Sequence, residues 1–266
     1  IDMKQFFKMM FASALGVFVA VGLISIVFVF TLIGIAASVG STPDYTPKSN
    51  TVYKLTLEGN LSDNTEENPI AMLMGETDKS LSLKDILSSI QTAKENKNIK
   101  GIYIEAKSLS TGSASLEAIR RALNDFKESG KFIIAYSDNY TQGCYYLCSV
   151  ADKVFLNPQG TLGLVGMASQ TMFYKDLLKK VGVEMMIFKV GTYKGAVEPF
   201  MLDKLSDANR EQIQSYISTI WDNVTNGIAE SRKIPVADIN SFANQGYAFS
   251  AAEKAVECGL IDELKY

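Results

Sequence analysis

Lys194 is the residue that fits least well as ordinary surface. It sits in FKVGTYKGAVEPF, residues 188–200, behind an apolar run from Met185 to Val190 that only Lys189 interrupts. Tyr193, Gly195, Ala196 and Val197 bracket it, and Glu198 follows four residues on. One reading is a lysine at a helix start, paired with Glu198 for about a few tenths of a kcal/mol. The other is a neutral amine that accepts a proton from a nucleophile. That role requires lowering the amine pKa from about 10.4 to near 7, a cost of about 4.6 kcal/mol. Burial among apolar groups supplies shifts of that size.

The rest of the composition narrows the chemistry. The 266 residues contain no histidine. Ser-His-Asp and Cys-His catalysis, and zinc sites of the HExxH type, are therefore excluded within this chain. A general base here has to be a carboxylate, a lysine, a tyrosine or a cysteine. Net charge is −3, with no basic stripe, so nucleic acid is not an expected partner. Acidic pairs such as Glu66-Glu67 lack partners at metal-ligand spacing, and no metal or cofactor is expected. Three cysteines, Cys144, Cys148 and Cys258, make an odd count that argues against a disulfide framework. They read as small buried hydrophobes.

The amino terminus suggests the compartment. No residue from Met9 to Pro43 is charged, and Phe11 to Val39 is almost continuously apolar. Those roughly 29 residues would rise about 44 Å as a helix, more than the ~30 Å hydrocarbon core of a bilayer. The run is too long for the apolar region of a cleaved signal peptide, although Gly34, Ala36, Ala37 and Ser38 imitate a cleavage site. Lys4 and Lys8 precede the span, which by the positive-inside rule places residues 1–8 in the cytoplasm and the remainder outside. The expected organisation is a tail at 1–8, a transmembrane anchor at 9–39, a linker at 40–50 and an extracytoplasmic domain at 51–266. A histidine-free, membrane-anchored chain with an apolar-flanked lysine points towards Ser-Lys dyad chemistry.

That lysine has to be positioned by the elements of the large domain. VYKLTLEG (52–59) alternates as a strand should, and 60–80 reads as a polar loop. Ser82 to Asp85 forms a capping pattern ahead of Ile86, Leu87, Ile90 and Ala93. GIYIEA (101–106) and KFIIAYS (131–137) are apolar strands. Between them, after a Ser/Thr/Gly loop at 108–113, comes a helix with Leu116, Ile119, Leu123 and Phe126 on one face. A short helix at 141–150 and a strand from Lys153 to Leu156 follow. Then come a helix at 173–181, a strand at 184–190, a long helix from Ser206 to Ser231 and a capped helix from Ser250. Alternating strands and helices with fully apolar strands predict an α/β domain around a mostly parallel sheet. GTLGLVG (160–166) has GxxGxxG spacing, which fails the dinucleotide fingerprint and reads as a strand-flanking loop.

YTQGCYYLCSVADKVFLNPQGTLGLVG (140–166), FKVGTYKGAVEPF (188–200) and the closing AAEKAVECGLIDEL together resemble the signal peptide peptidase A, or protease IV, family. The similarity is to the amino-terminal half of its long, two-domain bacterial type. It implies a ClpP/crotonase-like fold and a Ser-Lys serine endopeptidase that degrades signal-peptide remnants at the bacterial inner (plasma) membrane. The family's general-base lysine falls on Lys194. Its serine nucleophile, in the short single-domain type, falls on Gln142, an amide that cannot attack a carbonyl. Cys144 is a nucleophilic residue type but lies two positions late. The residue after the lysine, often serine in the family, is Gly195 here.

The resemblance therefore implies half of a dyad, with the serine expected from a second peptidase half. That half is either further along a longer chain or on a separate polypeptide, in a homo-oligomer acting on peptides at the membrane. The alternative is a non-catalytic, membrane-anchored scaffold or regulatory domain of the same fold, with Gln142 marking a lost site and Lys194 merely paired with Glu198. Substrate is expected to bind by strand addition near Leu162 to Met167.

Overall fold

The structure, a computed structural model, describes residues 2–39, 46–64, 81–249 and 251–266. Most of the loop expected at 60–80, and the cap expected at Ser250, lie outside the described residues. The chain divides into two units, residues 1–47 and 48–266.

Among the described residues, the first unit holds a single helix, α1 (Met3–Val39). Its Met3–Gly34 stretch is long and apolar enough to cross a membrane. The helix starts six residues before the uncharged span, because Lys4 and Lys8 are good helix formers and extend it.

The second unit is built on a six-stranded sheet in the order β2-β1-β3-β4-β6-β8. Its strands are β1 (Thr51–Ser62), β2 (Leu81–Ser82), β3 (Ile99–Ser110), β4 (Phe132–Ser137), β6 (Lys153–Leu156) and β8 (Glu263–Leu264). Every neighbouring pair runs parallel, as apolar strands separated by helices require. Ile102, Ile104, Ile133, Ala135, Val154 and Leu156 are fully buried in its central strands. Helices α2 (Leu83–Glu95) and α3 (Ser113–Lys127) cover it with Ile86, Ile90 and Ala93, and with Ile119, Leu123 and Phe126. The Ser82 hydroxyl caps α2 by accepting the Asp85 N–H at 3.2 Å, as the sequence indicated. The expected loop at 108–113 is shorter, because β3 continues to Ser110.

A second, two-stranded sheet pairs β5 (Tyr140–Thr141) with β7 (Leu162–Gly163). Helix α4 (Gln142–Cys148) leaves directly from β5. After β7 the chain runs through α5 (Lys175–Lys180), a 3₁₀ turn at Gly195–Val197 and α6 (Glu198–Met201) into the long α7 (Asp207–Arg232). Helices α8 (Val236–Asn244) and α9 (Glu253–Glu257) then lead to β8.

The strand expected at 184–190 is absent. Residues 183–190 have no sheet neighbour, and Met186, Phe188 and Val190 are 83%, 88% and 87% exposed. The run is apolar without being core, so its composition imitates a buried strand while its side chains face solvent.

Candidate active site

Two places carry the residues singled out above. The first is the start of α4. Thr141 caps the helix, its Oγ1 accepting the Cys144 N–H at 3.3 Å. Gln142 is the first helical residue, and its half-buried side chain faces the β7 connection. Its Oε1 accepts the backbone N–H groups of Val165 at 3.1 Å and Gly166 at 3.0 Å. The Gln142 amide therefore clasps the segment expected to add a substrate strand. That segment is less open than the sequence suggested. Leu162 and Gly163 pair with β5, and the next donors face Gln142.

Helix α4 is held rigidly below this point. The Tyr145 hydroxyl donates to the Leu260 carbonyl at 2.6 Å, and the Tyr146 hydroxyl donates to Glu117 Oε2 at 2.5 Å. Burial, followed by that carboxylate, pushes the Tyr146 phenol up to about 12. Cys144 and Cys148 are fully buried free thiols on this helix, and Cys258 is half-buried. Burial pushes the Cys148 thiol well above its ordinary value. Cys144 is packed inside the domain, its Sγ 4.0 Å from the Lys107 carbonyl oxygen, so it presents no nucleophile to solvent.

The second place is the Lys194 turn. The Lys194 N–H donates to the Gly191 carbonyl at 3.4 Å, and Gly191 takes a φ of 95°, which glycine adopts without strain. Lys194 ends this turn as the residue before the 3₁₀ segment. The side chain is exposed, so the amine that the flanking residues suggested was buried is open to solvent in the single chain. It borders a groove of about 500 Å³ shared with Tyr193, Gly195, Asn209, Ile213 and Tyr216.

The Lys194–Glu198 pair considered above does not form. Glu198 is fully buried and is claimed by other donors. It accepts from the Ser206 hydroxyl at 2.6 Å, the Ser206 N–H at 3.0 Å, Asn209 Nδ2 at 3.1 Å and Lys189 Nζ at 3.4 Å. Those bonds, the Ser206 hydroxyl foremost, hold its carboxyl at about 2. Sequence reading missed Asn209, Ser206 and Lys189 as a group. The only available signal was Ser206 as the cap of α7, where its Oγ accepts the Asn209 N–H at 3.2 Å.

Gln142 and Lys194 share no hydrogen bond. Both are tied to α7 by different routes. Arg120, buried in α3, stacks 4.4 Å over the Tyr146 ring and donates to the Tyr146 carbonyl and to Ser149 Oγ at 2.9 Å. Its other nitrogen donates to the Gly227 carbonyl and to Ser231 Oγ at 2.7 Å, both on α7. The far end of α7 carries Asn209 under the Lys194 turn.

The pattern of Peptidase family S49 matches residues 125–266, which include both places. The chain belongs to peptidase family S49. Among its S49 relatives, Protease 4 of Salmonella typhi is 43% identical over 155 residues, covering 58% of this chain and 25% of that protein. Protease 4 of Haemophilus influenzae is 34% identical over 215 residues, 78% of this chain and 35% of that protein. The chloroplastic serine protease SPPA of Arabidopsis thaliana is 29% identical, covering 82% and 31% respectively. The chain thus spans about a quarter to a third of these relatives' length. Among solved structures, a mutant of the membrane-bound stomatin-specific protease 1510-N with a substrate peptide is 12% identical at a TM-score of 0.38, covering 82% of this chain and 76% of that one. An enoyl-CoA hydratase/isomerase family protein from Silicibacter pomeroyi is 13% identical at 0.40, covering 69% and 63%. At these scores the likeness adds nothing to the fold described above.

Proposed function

We propose that this S49 chain supplies the general base, Lys194, of a Ser-Lys endopeptidase that removes signal-peptide remnants at the bacterial inner membrane. The serine comes from a second α/β half. The observation that carries this reading is the pairing of an exposed lysine with an exposed apolar surface around it. Met186, Phe188 and Val190 are more than four-fifths exposed, and Tyr193 and Tyr216 more than half. Exposed apolar side chains gathered on one segment in this way mark an interaction site. A partner seated on it removes water from Lys194, and desolvation lowers an amine pKa towards the range a general base needs. The amine exposed here is then buried in the assembly, and the apolar flanks noted in the sequence are the means.

The partner is the serine-bearing half, in a homo-oligomer or as a further α/β domain. Residues 1–8 lie in the cytoplasm, α1 anchors the chain, and the α/β unit works outside. The apolar, extended substrate reaches the site from the bilayer.

The test is hydrolysis of an apolar quenched peptide by the chain with and without a serine-bearing S49 half. The pair is expected to cleave. Lys194→Ala should abolish cleavage while leaving the fold intact. Lys194→Arg should fail equally, because a guanidinium stays protonated and cannot accept the proton. Undiminished cleavage by the Lys194→Ala pair would overturn the reading.

A second reading, the non-catalytic scaffold, draws on Gln142, whose Oε1 is satisfied by two backbone donors and needs no other role. It predicts no gain of hydrolysis on pairing and no effect of Lys194→Ala.

A further inference from the structure

We infer that Asn209 and Glu198 are positioning residues for Lys194, and that the Asn209 carboxamide acts by occupying the space a side chain at residue 195 would need. The inference rests on the reading of Lys194 as the general base. A Cβ built on Gly195 would fall inside contact distance of Asn209 Cγ, Nδ2 and Oδ1 together. The carboxamide is therefore packed flat against the backbone of the residue that follows the lysine.

It cannot turn away freely, since Nδ2 donates to Glu198 Oε2 at 3.1 Å. Glu198 in turn is fixed by both donors of Ser206 and by Lys189, and is fully buried. The lysine turn thus rests on a stack: Glu198 at the bottom, the Asn209 amide on it, the Gly195 backbone on the amide. Asn209 Oδ1 has no hydrogen-bond donor among the described residues, and Asn209 and Lys194 border the same groove. Once a partner strips water from the ammonium, that oxygen is the acceptor available to orient it.

The arrangement accounts for the glycine. Gly195 does not have a positive φ, so backbone conformation does not demand it. The amide pressed against it does. A side chain at 195 and the amide at 209 compete for one volume, and the chain has chosen the amide.

The competition provides the test. The chain is reductively ¹³C-methylated in detergent, and the Lys194 methyl resonance is assigned by its loss in Lys194→Ala. Gly195→Ala should shift that resonance, because the new Cβ displaces the turn, and Asn209→Ala should shift it by freeing the turn. Gly195→Ala/Asn209→Ala should match Asn209→Ala alone, since the methyl then enters vacated space. In the pair with the serine-bearing half, Gly195→Ala and Asn209→Ala should each lower kcat about tenfold or more with KM changed less than about twofold, again without additivity in the double variant. Melting temperatures identify any variant that has simply failed to fold, in which case Asn209→Ser, a smaller polar replacement, is read instead. Lys194 resonances identical to wild type in every variant, or strictly additive losses in kcat, would overturn the positioning role. The Lys194→Ala result in the same assay bears separately on the general base.

Discussion

Gln142 and Lys194 illustrate how a residue's type can be legible while its circumstances are not. That Gln142 cannot attack a carbonyl follows from its chemistry alone. That its Oε1 gathers the Val165 and Gly166 N–H groups depends on β7 returning beside β5, which no local pattern announces. Lys194 stands out because its neighbours are apolar, a pattern that fits either a paired surface lysine or a buried amine. The structure exposes it, because apolar neighbours on an unpartnered face are themselves exposed. Glu198 was considered only as Lys194's partner, yet it is the most constrained carboxylate in this region. Its pKa is depressed in the folded chain, to about 2 from an ordinary 4.5. A depressed carboxylate stabilises fully above its unfolded value, and that contribution fades as pH falls from about 4.5 through about 2. Protection factors of amides in 189–209, exchange rates corrected for the intrinsic pH dependence, should therefore fall across that window, while amides of β3 and β4 stay protected. Glu198→Gln should show the loosened state at neutral pH, since its NH₂ group meets donors where acceptors are needed. Unchanged protection of 189–209 down to pH 2 would contradict this account.

At the scale of elements, the strands and helices of the sheet were read closely because each carries its own signal. Lys153–Leu156 is a strand at the expected residues, α2 and α7 begin directly after Ser82 and Ser206, and α3 begins at Ser113, the end of the expected loop. The failure at 184–190 has a physical cause: a short apolar run is the same whether it will be covered by a sheet or by another molecule. Helix α8 was missed because its nine residues bury only Ile239 and Phe242, too few for a periodic signal. The long-range tie between α3, α4 and α7 was also invisible, since Arg120 looks like any charged position on an amphipathic helix. Its guanidinium is buried, and burial lowers its pKa. Arg120→Ala should leave two backbone carbonyls without their charged donor and cost about 2–4 kcal/mol. Urea unfolding in detergent measures this, with Arg120→Lys expected to recover only part. A loss below about 0.5 kcal/mol would mean that α7 is held by apolar contacts alone.

For the whole molecule, the two units set different questions. The first has a helix whose exposed apolar side chains suit lipid. In the proposed topology, which puts Lys4 and Lys8 on the cytoplasmic side, protease added to spheroplasts should digest the region after Pro43, and its full protection would reverse that topology. The second unit has a surface that water does not suit. The segment 174–203, called the arm, is closed at its ends, the base, by Tyr174 and Phe200, stacked 6.0 Å apart, by the Tyr174 N–H donating to the Pro199 carbonyl at 2.7 Å, and by a Lys175–Asp203 ion pair at 2.9 Å. The base is therefore structured, while the tip offers Met185, Met186, Phe188 and Val190 to whatever covers it. Exposing four large apolar side chains forgoes about 1.5–3 kcal/mol each relative to burial, so the covered state is strongly favoured once a complementary surface is present. Replacing Met186, Phe188 and Val190 with serine removes that gain without touching the sheet, the Arg120 tie or the Glu198 network. The triple variant should melt within about 2 °C of the unmodified chain, because exposed positions contribute little to folding. It should lose association with the serine-bearing half in sedimentation, and with it peptide cleavage, although Lys194 is intact. Association and cleavage that survive the triple substitution would show that the arm is not the contact surface, and that Lys194 is desolvated by some other face.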